Sequence, residues 1–146
     1  MQYKTDLKEK FTVITFLDST LTSNIVPEIN EITQNILAQS PKNLVLNCGF
    51  VKHWDNEIME ALANAQQQFY DNNASFVICA LSEALLNGLE AANYAEIMNI
   101  TPTETEAWDI VQMEEIEREL LDSDDMEFSV ENWMPTSYSI VFQSLY

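Results

Sequence analysis

The fold is decided by residues 43–69, which read NLVLNCGFVKHWDNEIMEALANAQQQF. Leu44 to Cys48 is a short apolar run that follows Ser40-Pro41, and such a run is typical of a buried strand in a parallel sheet. Further along, apolar residues recur at spacings of four, three and four and so mark one face of a helix; they are Ile58, Leu62, Ala65 and Phe69. The stretch therefore predicts a central strand, an irregular turn and a helix.

The start of this helix predicts a surface that can bind something. Asp55 is a good N-cap residue, and Glu57 in the first turn suits the positive end of the helix dipole. A strand end, a turn and a helix N-terminus together make a ledge with exposed amide donors. Such ledges bind anions, accept phosphate or dock partners.

The rest of the chain supplies the other elements of an α/β fold. Alternating or β-branched runs predict strands within residues 3–7, 11–17, 75–81 and 97–101. Capping signals and apolar stripes predict helices that start at Ser23 or Asn24, at Asn56, at Ser82 and at Thr103. We expect a mixed sheet of about four or five strands with about four helices packed against it. The predicted core consists of Ile29, Ile32, Val45, Leu46, Leu62, Phe69, Val77, Ile78, Leu89 and Val111.

The charge balance narrows the choice of partner. With 24 acidic and 6 basic residues, the formal net charge is −18. Nucleic acids and anionic membranes are therefore not expected as partners, because both require clustered Lys and Arg. A protein with a basic surface fits better, although an acidity that only keeps the chain soluble explains the charge equally well. No charged-then-apolar leader is seen and the apolar run at 76–81 is far too short to cross a bilayer, so we expect a cytoplasmic protein.

No constellation for catalysis, metal binding or cofactor binding emerges from the sequence. His53 is the only histidine, and Cys48 and Cys79 fall in apolar strands, where free cysteines serve as small core residues. Neither Gly49 nor Gly88 belongs to a phosphate-binding glycine loop. We therefore expect no disulfide, no metal, no cofactor and no enzymatic activity.

The composition changes near residue 121, which divides the chain into a domain over 1–121 and an extension over 122–146. The extension starts with acidic residues and continues with too many aromatics for a disordered tail. Tyr138, Ile140 and Phe142 alternate with other residues, as in an added strand. We predict that the extension is ordered and packs on its own domain or on a second copy, which would make a homodimer.

The element order and the central motif resemble the STAS domain family over about residues 3–120. This is the fold of bacterial anti-sigma factor antagonists and of the cytoplasmic regions of sulfate transporters. Leu44 to Cys48 stands where the family has its central strand, and Val51 to Leu62 matches its following pattern of Val-x-Phe-Ile-Asp-Ser-Ser-Gly-Leu-x-x-Leu. Further matches lie at Thr20–Ser23, Leu89–Asn93 and Thr103–Ala107.

The resemblance implies a phosphorylation switch that this chain has altered. In the family, the second serine after the aspartate is phosphorylated by an anti-sigma kinase, and the phosphate breaks the complex with that kinase. Here Asp55 is kept, but Asn56, Glu57 and Ile58 replace the two serines and the glycine, and Thr22 replaces a loop aspartate. Glu57 cannot be phosphorylated, while Thr22 and Ser23 remain as alternative hydroxyl acceptors.

These observations favour a non-catalytic regulator that binds a protein partner, such as an anti-sigma factor or a kinase-like regulator. The predicted contact residues are Thr22, Ser23, Asn24, His53, Trp54, Asp55, Asn56, Glu57, Ile58 and Met59. One alternative is a subunit that acts by self-association within a signalling complex. Another is a small-molecule or nucleotide sensor, which the net charge of −18 and Glu57 at the helix N-terminus oppose.

Overall fold

A five-stranded mixed sheet forms the centre of the structure, a computed structural model that describes residues 1–121. The strands are β1 (Tyr3–Leu7), β2 (Thr12–Phe16), β3 (Thr20–Leu21), β4 (Leu44–Asn47), β5 (His53–Trp54), β6 (Phe76–Cys79) and β7 (Asn99–Thr101). The helices are α1 (Val26–Leu37), α2 (Asn56–Asp71), α3 (Glu83–Ala91) and α4 (Glu104–Leu121). In the main sheet the strand order is β1-β2-β4-β6-β7, while β3 and β5 form a separate two-stranded sheet.

The predicted central strand lies in the middle of the main sheet. β4 pairs in parallel with β2 on one side and with β6 on the other, so that Leu46 has Ile14 and Ile78 as its neighbours. Only β1 runs antiparallel to its neighbour, through the hairpin with β2. The prediction of a mixed α/β sheet with four helices is confirmed.

From β2 onwards both faces of the sheet are covered by helices, which is why β4 has no alternation of polar and apolar residues. Successive side chains point to opposite faces of a strand. Leu46 and its neighbours pack with the apolar faces of α1, α2 and α3 in the larger core cluster. Val45 and its neighbours Val13 and Val77 pack with α4 in a second cluster. Nine of the ten predicted core residues are buried, and Ile32 is the exception.

Most of the predicted helix boundaries are confirmed by capping geometry. The Ser82 hydroxyl accepts a hydrogen bond from the Leu85 amide at 3.2 Å, and the Thr103 hydroxyl accepts one from the Glu106 amide at 3.2 Å. Two asparagines adopt the left-handed conformation after helices, Asn73 with φ 55° and Asn93 with φ 64°. Asparagine tolerates this conformation better than most residues, so it stops a helix there.

The first helix differs from its prediction in two details. Residues 23–25 form a short 3₁₀ turn, and α1 begins only at Val26, with no side chain capping it. Ser23 and Asn24 therefore do not cap α1. Ile32 is only half-buried because Thr33 takes the inward position, and the Thr33 hydroxyl bonds the Asn30 carbonyl at 2.9 Å. That bond removes the cost of burying the hydroxyl.

The first strand also differs from its prediction. All five residues of β1 are exposed, although the alternation of Tyr3, Thr5 and Leu7 predicted one buried face. β1 lies at the edge of the sheet and pairs only with β2, and no helix within residues 1–121 covers it. The predictions made for residues 122–146 lie outside the described residues.

A buried polar network ties the end of α4 to the sheet. The Asn43 side-chain amide donates to the Lys10 carbonyl at 2.8 Å and to the Glu115 carboxylate at 2.6 Å. Its oxygen accepts from the Ser75 amide at 2.8 Å. Arg118 joins the network through the Ser75 hydroxyl and Glu115, each at 3.2 Å. These residues surround the amino-terminal ends of β4 and β6.

Replacing Glu114 by glutamine should stabilise the protein at neutral pH. Burial raises the pKa of the Glu114 carboxyl, an effect that Ser75 and Arg118 only partly oppose. A carboxyl whose pKa is higher in the folded than in the unfolded state lowers the stability of the protein once the pH rises above the pKa of the unfolded state. In urea unfolding, the free energy of unfolding of Glu114→Gln should therefore exceed that of wild type at pH 7. The difference should shrink towards pH 4. An equal difference at both pH values would contradict this prediction.

Candidate functional site

The predicted site residues come together on one surface, which we call the ledge and define as Thr22–Asn24 with His53–Glu57. The two-stranded sheet joins the two segments, because β3 and β5 pair in parallel with Thr20 opposite His53 and Leu21 opposite Trp54. Neither strand was predicted from the sequence, since two residues are too few for any periodicity. The signal available was an apolar residue in each loop, Leu21 and Trp54.

Backbone hydrogen bonds fix the loop after β2 to the turn after β4. The Ser19 carbonyl accepts from the Lys52 amide at 2.7 Å and from the His53 amide at 3.1 Å. The Asp55 amide in turn donates to the Leu21 carbonyl at 3.1 Å. Leu21 is completely buried beneath these bonds. The ledge therefore rests on the core and is held at several points along its length.

Asp55 connects the two segments of the ledge rather than capping its own helix. It occupies the N-cap position of α2, as predicted, but its side chain makes no hydrogen bond to that helix. Instead, one carboxylate oxygen accepts from the Ser23 amide at 2.7 Å. A hydrogen bond to an ionised acceptor at this distance is a strong one. The predicted capping role of the Asp55 side chain is therefore wrong, because the neighbouring loop presents its own amide to the carboxylate.

Eight of the ten predicted contact residues have side chains at the surface. Trp54 and Asp55 are half-buried, and the exposed ones are Thr22, Ser23, Asn24, His53, Asn56 and Glu57. Ile58 and Met59 are 0% and 7% exposed and belong to the core. Ile58 is therefore not available to a partner, because the apolar face of α2 is turned towards the sheet. Met59 shows only a small part of its side chain at the surface.

A shallow concavity of about 290 Å³ adjoins the ledge at the start of α2. Glu57 and Glu60 line it together with Asn56, Met59, Ala92 and Tyr94. Both carboxylates are exposed, and Tyr94 is half-buried against the core. Glu60 and Tyr94 were not among the predicted site residues. Glu60 follows Glu57 by three residues and therefore shares a helix face with it, which is the signal that could have identified it. The concavity suits a cationic group and opposes an anion.

The two cysteines have no reactive role in this arrangement. Cys48 and Cys79 are free and buried. Burial raises the pKa of both thiols, so both remain neutral and neither supplies a thiolate. Within residues 1–121 no three His, Cys, Asp or Glu side chains are placed to hold a metal ion. Among the helices of the same residues, none combines the length and apolar character needed to span a membrane.

Comparison with solved structures finds proteins of the same fold at low sequence identity. An anti-sigma factor antagonist (STAS) domain protein from Planctomyces limnophilus is 18% identical, with a TM-score of 0.62 over 75% of this chain and 97% of that one. SpoIIAA, an anti-sigma factor antagonist from Bacillus, is 14% identical in its unphosphorylated form, with a TM-score of 0.63 over 76% of this chain and 96% of that one.

A third similar structure is a serine-to-glutamate variant of RsbS from Moorella thermoacetica. It is 15% identical, with a TM-score of 0.61 over 81% of this chain and 99% of that one. Comparison with curated proteins finds no match. The model of the STAS domain family matches residues 4–107, which include the main sheet except for Tyr3, the ledge and the first turn of α4. The chain belongs to the STAS domain family.

Proposed function

We propose that this STAS domain is a non-catalytic regulator that acts in the cytoplasm and binds a protein partner through the ledge. The partner class is an anti-sigma factor or a kinase-like regulator, the class to which the known partners of anti-sigma factor antagonists belong. The observation that carries the proposal is the exposed carboxylate of Glu57 in the first turn of α2. It occupies the position that the family motif assigns to the phosphorylated serine.

The charges around Glu57 support a partner with a basic surface. Glu60 lines the same concavity, so two carboxylates are presented together beside the ledge. A chain with a net charge of −18 attracts a cationic surface over a longer range, which speeds association. The same charges oppose the binding of a nucleotide or another anion. The alternative of a nucleotide sensor rests on the helix N-terminus of the ledge alone, and the carboxylates beside it oppose a phosphate there.

Glu57 resembles a phosphorylated serine only in part. A glutamate carries about one negative charge, whereas a phosphate carries about 1.5 to 2 and has a third oxygen. The RsbS variant shows that a STAS fold accommodates a glutamate in place of a serine. Two mechanisms follow: Glu57 keeps the protein in a phosphorylated-like state that avoids a kinase, or a basic pocket of the partner binds Glu57 directly.

Substitutions at Glu57 distinguish these mechanisms when the tagged full chain is used to capture partners from a native lysate. If a basic pocket binds the carboxylate, Glu57→Gln should weaken binding of the native partner about tenfold or more. A tenfold loss of affinity is about 1.4 kcal/mol. If the carboxylate prevents binding of a kinase, Glu57→Ser should capture a kinase that wild type does not retain. Glu31→Gln is the matched control, because Glu31 is an exposed helical glutamate on α1.

The proposed role of Glu57 is wrong if wild type and both Glu57 variants retain the same proteins in the same amounts. In that case the residue acts only as a favourable charge at a helix N-terminus, worth about 0.3–1 kcal/mol of stability. The nucleotide-sensor alternative is tested separately by thermal unfolding. A nucleotide that binds only the native state must raise the midpoint of unfolding, and we expect none to do so.

A further inference from the structure

A second surface of the molecule, away from the ledge, exposes apolar side chains beside a free strand edge. An open trough of about 900 Å³ runs along β7, the last strand of the main sheet. We call it the edge trough and define it by Leu81, Leu86, Ala95, Ile97, Met98 and Ile100. Glu90 and Glu96 also line it.

The edge trough continues towards α4. A smaller cavity of about 270 Å³ shares Ile97 and Met98 with it and extends to Tyr70 and Glu114. Ile97 is 57% exposed and Tyr70 is 73% exposed, although both are large apolar residues. Gln66, Gln67 and Asn99 also line the smaller cavity, so its surface is mixed and its exposed large apolar side chains are Ile97 and Tyr70.

The backbone of β7 offers hydrogen bonds along the same trough. The Ala80 amide donates to the Thr101 carbonyl at 3.2 Å, so the peptide groups of Thr101 face β6. Successive residues of a strand direct their backbone groups to opposite sides, and the N–H and carbonyl of Ile100 therefore point away from the sheet. No residue within 1–121 pairs with this side of β7. A free edge next to apolar surface readily accepts an added strand.

This chain itself contains a segment with the required chemistry. Residues 132–146 carry no charged side chain, in a chain whose formal net charge is −18. Apolar residues alternate at Tyr138, Ile140 and Phe142, which is the period of a strand. Because glutamates line the edge trough, it disfavours the acidic residues 122–131 and accepts the uncharged ones.

The segment begins close enough to reach the trough. α4 continues for seven residues beyond Glu114, which lines the smaller cavity, and these residues add about 10 Å. The 16 residues from 122 to 137 span at most about 58 Å when extended. A domain of 121 residues has a diameter of about 35 Å and a half circumference of about 55 Å, so an extended linker can reach the trough along the surface of the domain.

We propose that residues 138–143 of the same chain dock in the edge trough as a strand added to β7. The added strand bonds the free backbone groups of Ile100. Its alternating apolar side chains cover Ile97 and the neighbouring apolar residues of the trough. The uncharged segment thereby removes both the free edge and the exposed apolar surface from water.

The test is amide hydrogen exchange of the full chain, followed residue by residue by NMR. The Ile100 amide should be protected in wild type, and its exchange should accelerate at least tenfold in Phe142→Ser and in Ile97→Lys. Leu7→Lys is the matched control, because Leu7 is 69% exposed on the opposite edge strand β1. It should leave Ile100 exchange unchanged. Protection of Leu46 in every variant verifies that the core remains folded.

Three results would overturn the proposal. The first is exchange of the Ile100 amide at the rate of an open peptide in wild type. The second is protection of Ile100 that survives Phe142→Ser in a folded protein. The third is protection that falls on dilution together with the sedimentation mass, because the trough would then be occupied by a second copy rather than by the same chain. None of these outcomes depends on Glu57 or on a captured partner, so this inference and the proposed function succeed or fail separately.

Discussion

Replacing Leu46 by alanine should lower the free energy of unfolding by about 2–5 kcal/mol. Leu46 is 1% exposed and lies on the central strand β4, between Ile14 of β2 and Ile78 of β6. The core around it is covered by α2, including the fully buried Leu62. Because helices and strands hold the site from all sides, the surroundings cannot collapse into the space that the lost methyl groups leave.

Urea unfolding of Leu46→Ala measures this loss. The dependence of the free energy on urea concentration should stay the same while the midpoint falls, because the amount of surface exposed on unfolding hardly changes. Leu7→Ala is the matched control: Leu7 is 69% exposed, and its truncation should change stability by no more than about 0.5 kcal/mol. If the two variants unfold at the same midpoint, the placement of β4 at the centre of the core is wrong.

The main sheet and its helices could be predicted because their signals are local and repeat along the chain. Leu44 to Leu46 form an unbroken apolar run of strand length, and the apolar stripe of α2 shows its helical period within a few turns. Ser82 and Thr103 mark helix starts with side chains that bond within the same four residues. Signals of this kind depend on sequence neighbours alone, so they can be recognised without knowledge of the tertiary structure.

The connections within the ledge could not be predicted, because they join residues distant in sequence. Asp55 is a good N-cap by type, and nothing near it in the sequence shows that the amide of Ser23, 32 positions away, binds its carboxylate instead. The pairing of β3 with β5 involves only two residues on each side. Ile58 and Met59 were included in the predicted site because the whole start of α2 was assigned to the ledge. The helical period of α2 directs the side chains of Ile58 and Met59 towards the core.

The exposure of β1 was missed for a related reason. Alternation of Tyr3, Thr5 and Leu7 indicates a strand with two different faces, but it does not show whether a helix covers either face. Coverage depends on the crossovers of later elements, and within residues 1–121 these place every helix over β2 and the strands beyond it. Sequence periodicity therefore predicts the type of an element better than its burial.

Replacing Asn43 by alanine should lower the free energy of unfolding by about 3 kcal/mol, a cost that the sequence pattern alone does not reveal. Asn43 is 2% exposed and bonds the Lys10 carbonyl, the Ser75 amide and the Glu115 carboxylate at 2.6–2.8 Å. Alanine makes none of these bonds. It leaves the amide of the buried Ser75 without the Asn43 oxygen and the Lys10 carbonyl without the Asn43 amide. The Glu115 carboxylate also loses its shortest contact and keeps only the ion pair with Arg118.

Urea unfolding of Asn43→Ala and of the matched control Asn35→Ala isolates the contribution of the network. Asn35 is exposed on α1, so its truncation should change stability by no more than about 0.5 kcal/mol. Asn43→Asp adds a second comparison: a carboxylate still accepts from the Ser75 amide, but it cannot donate to Lys10 or Glu115 and places a second negative charge beside Glu115. It should therefore destabilise at neutral pH, and less so once the carboxylates are protonated. Stability of Asn43→Ala equal to that of Asn35→Ala would mean that α4 is attached to the sheet by its apolar face alone.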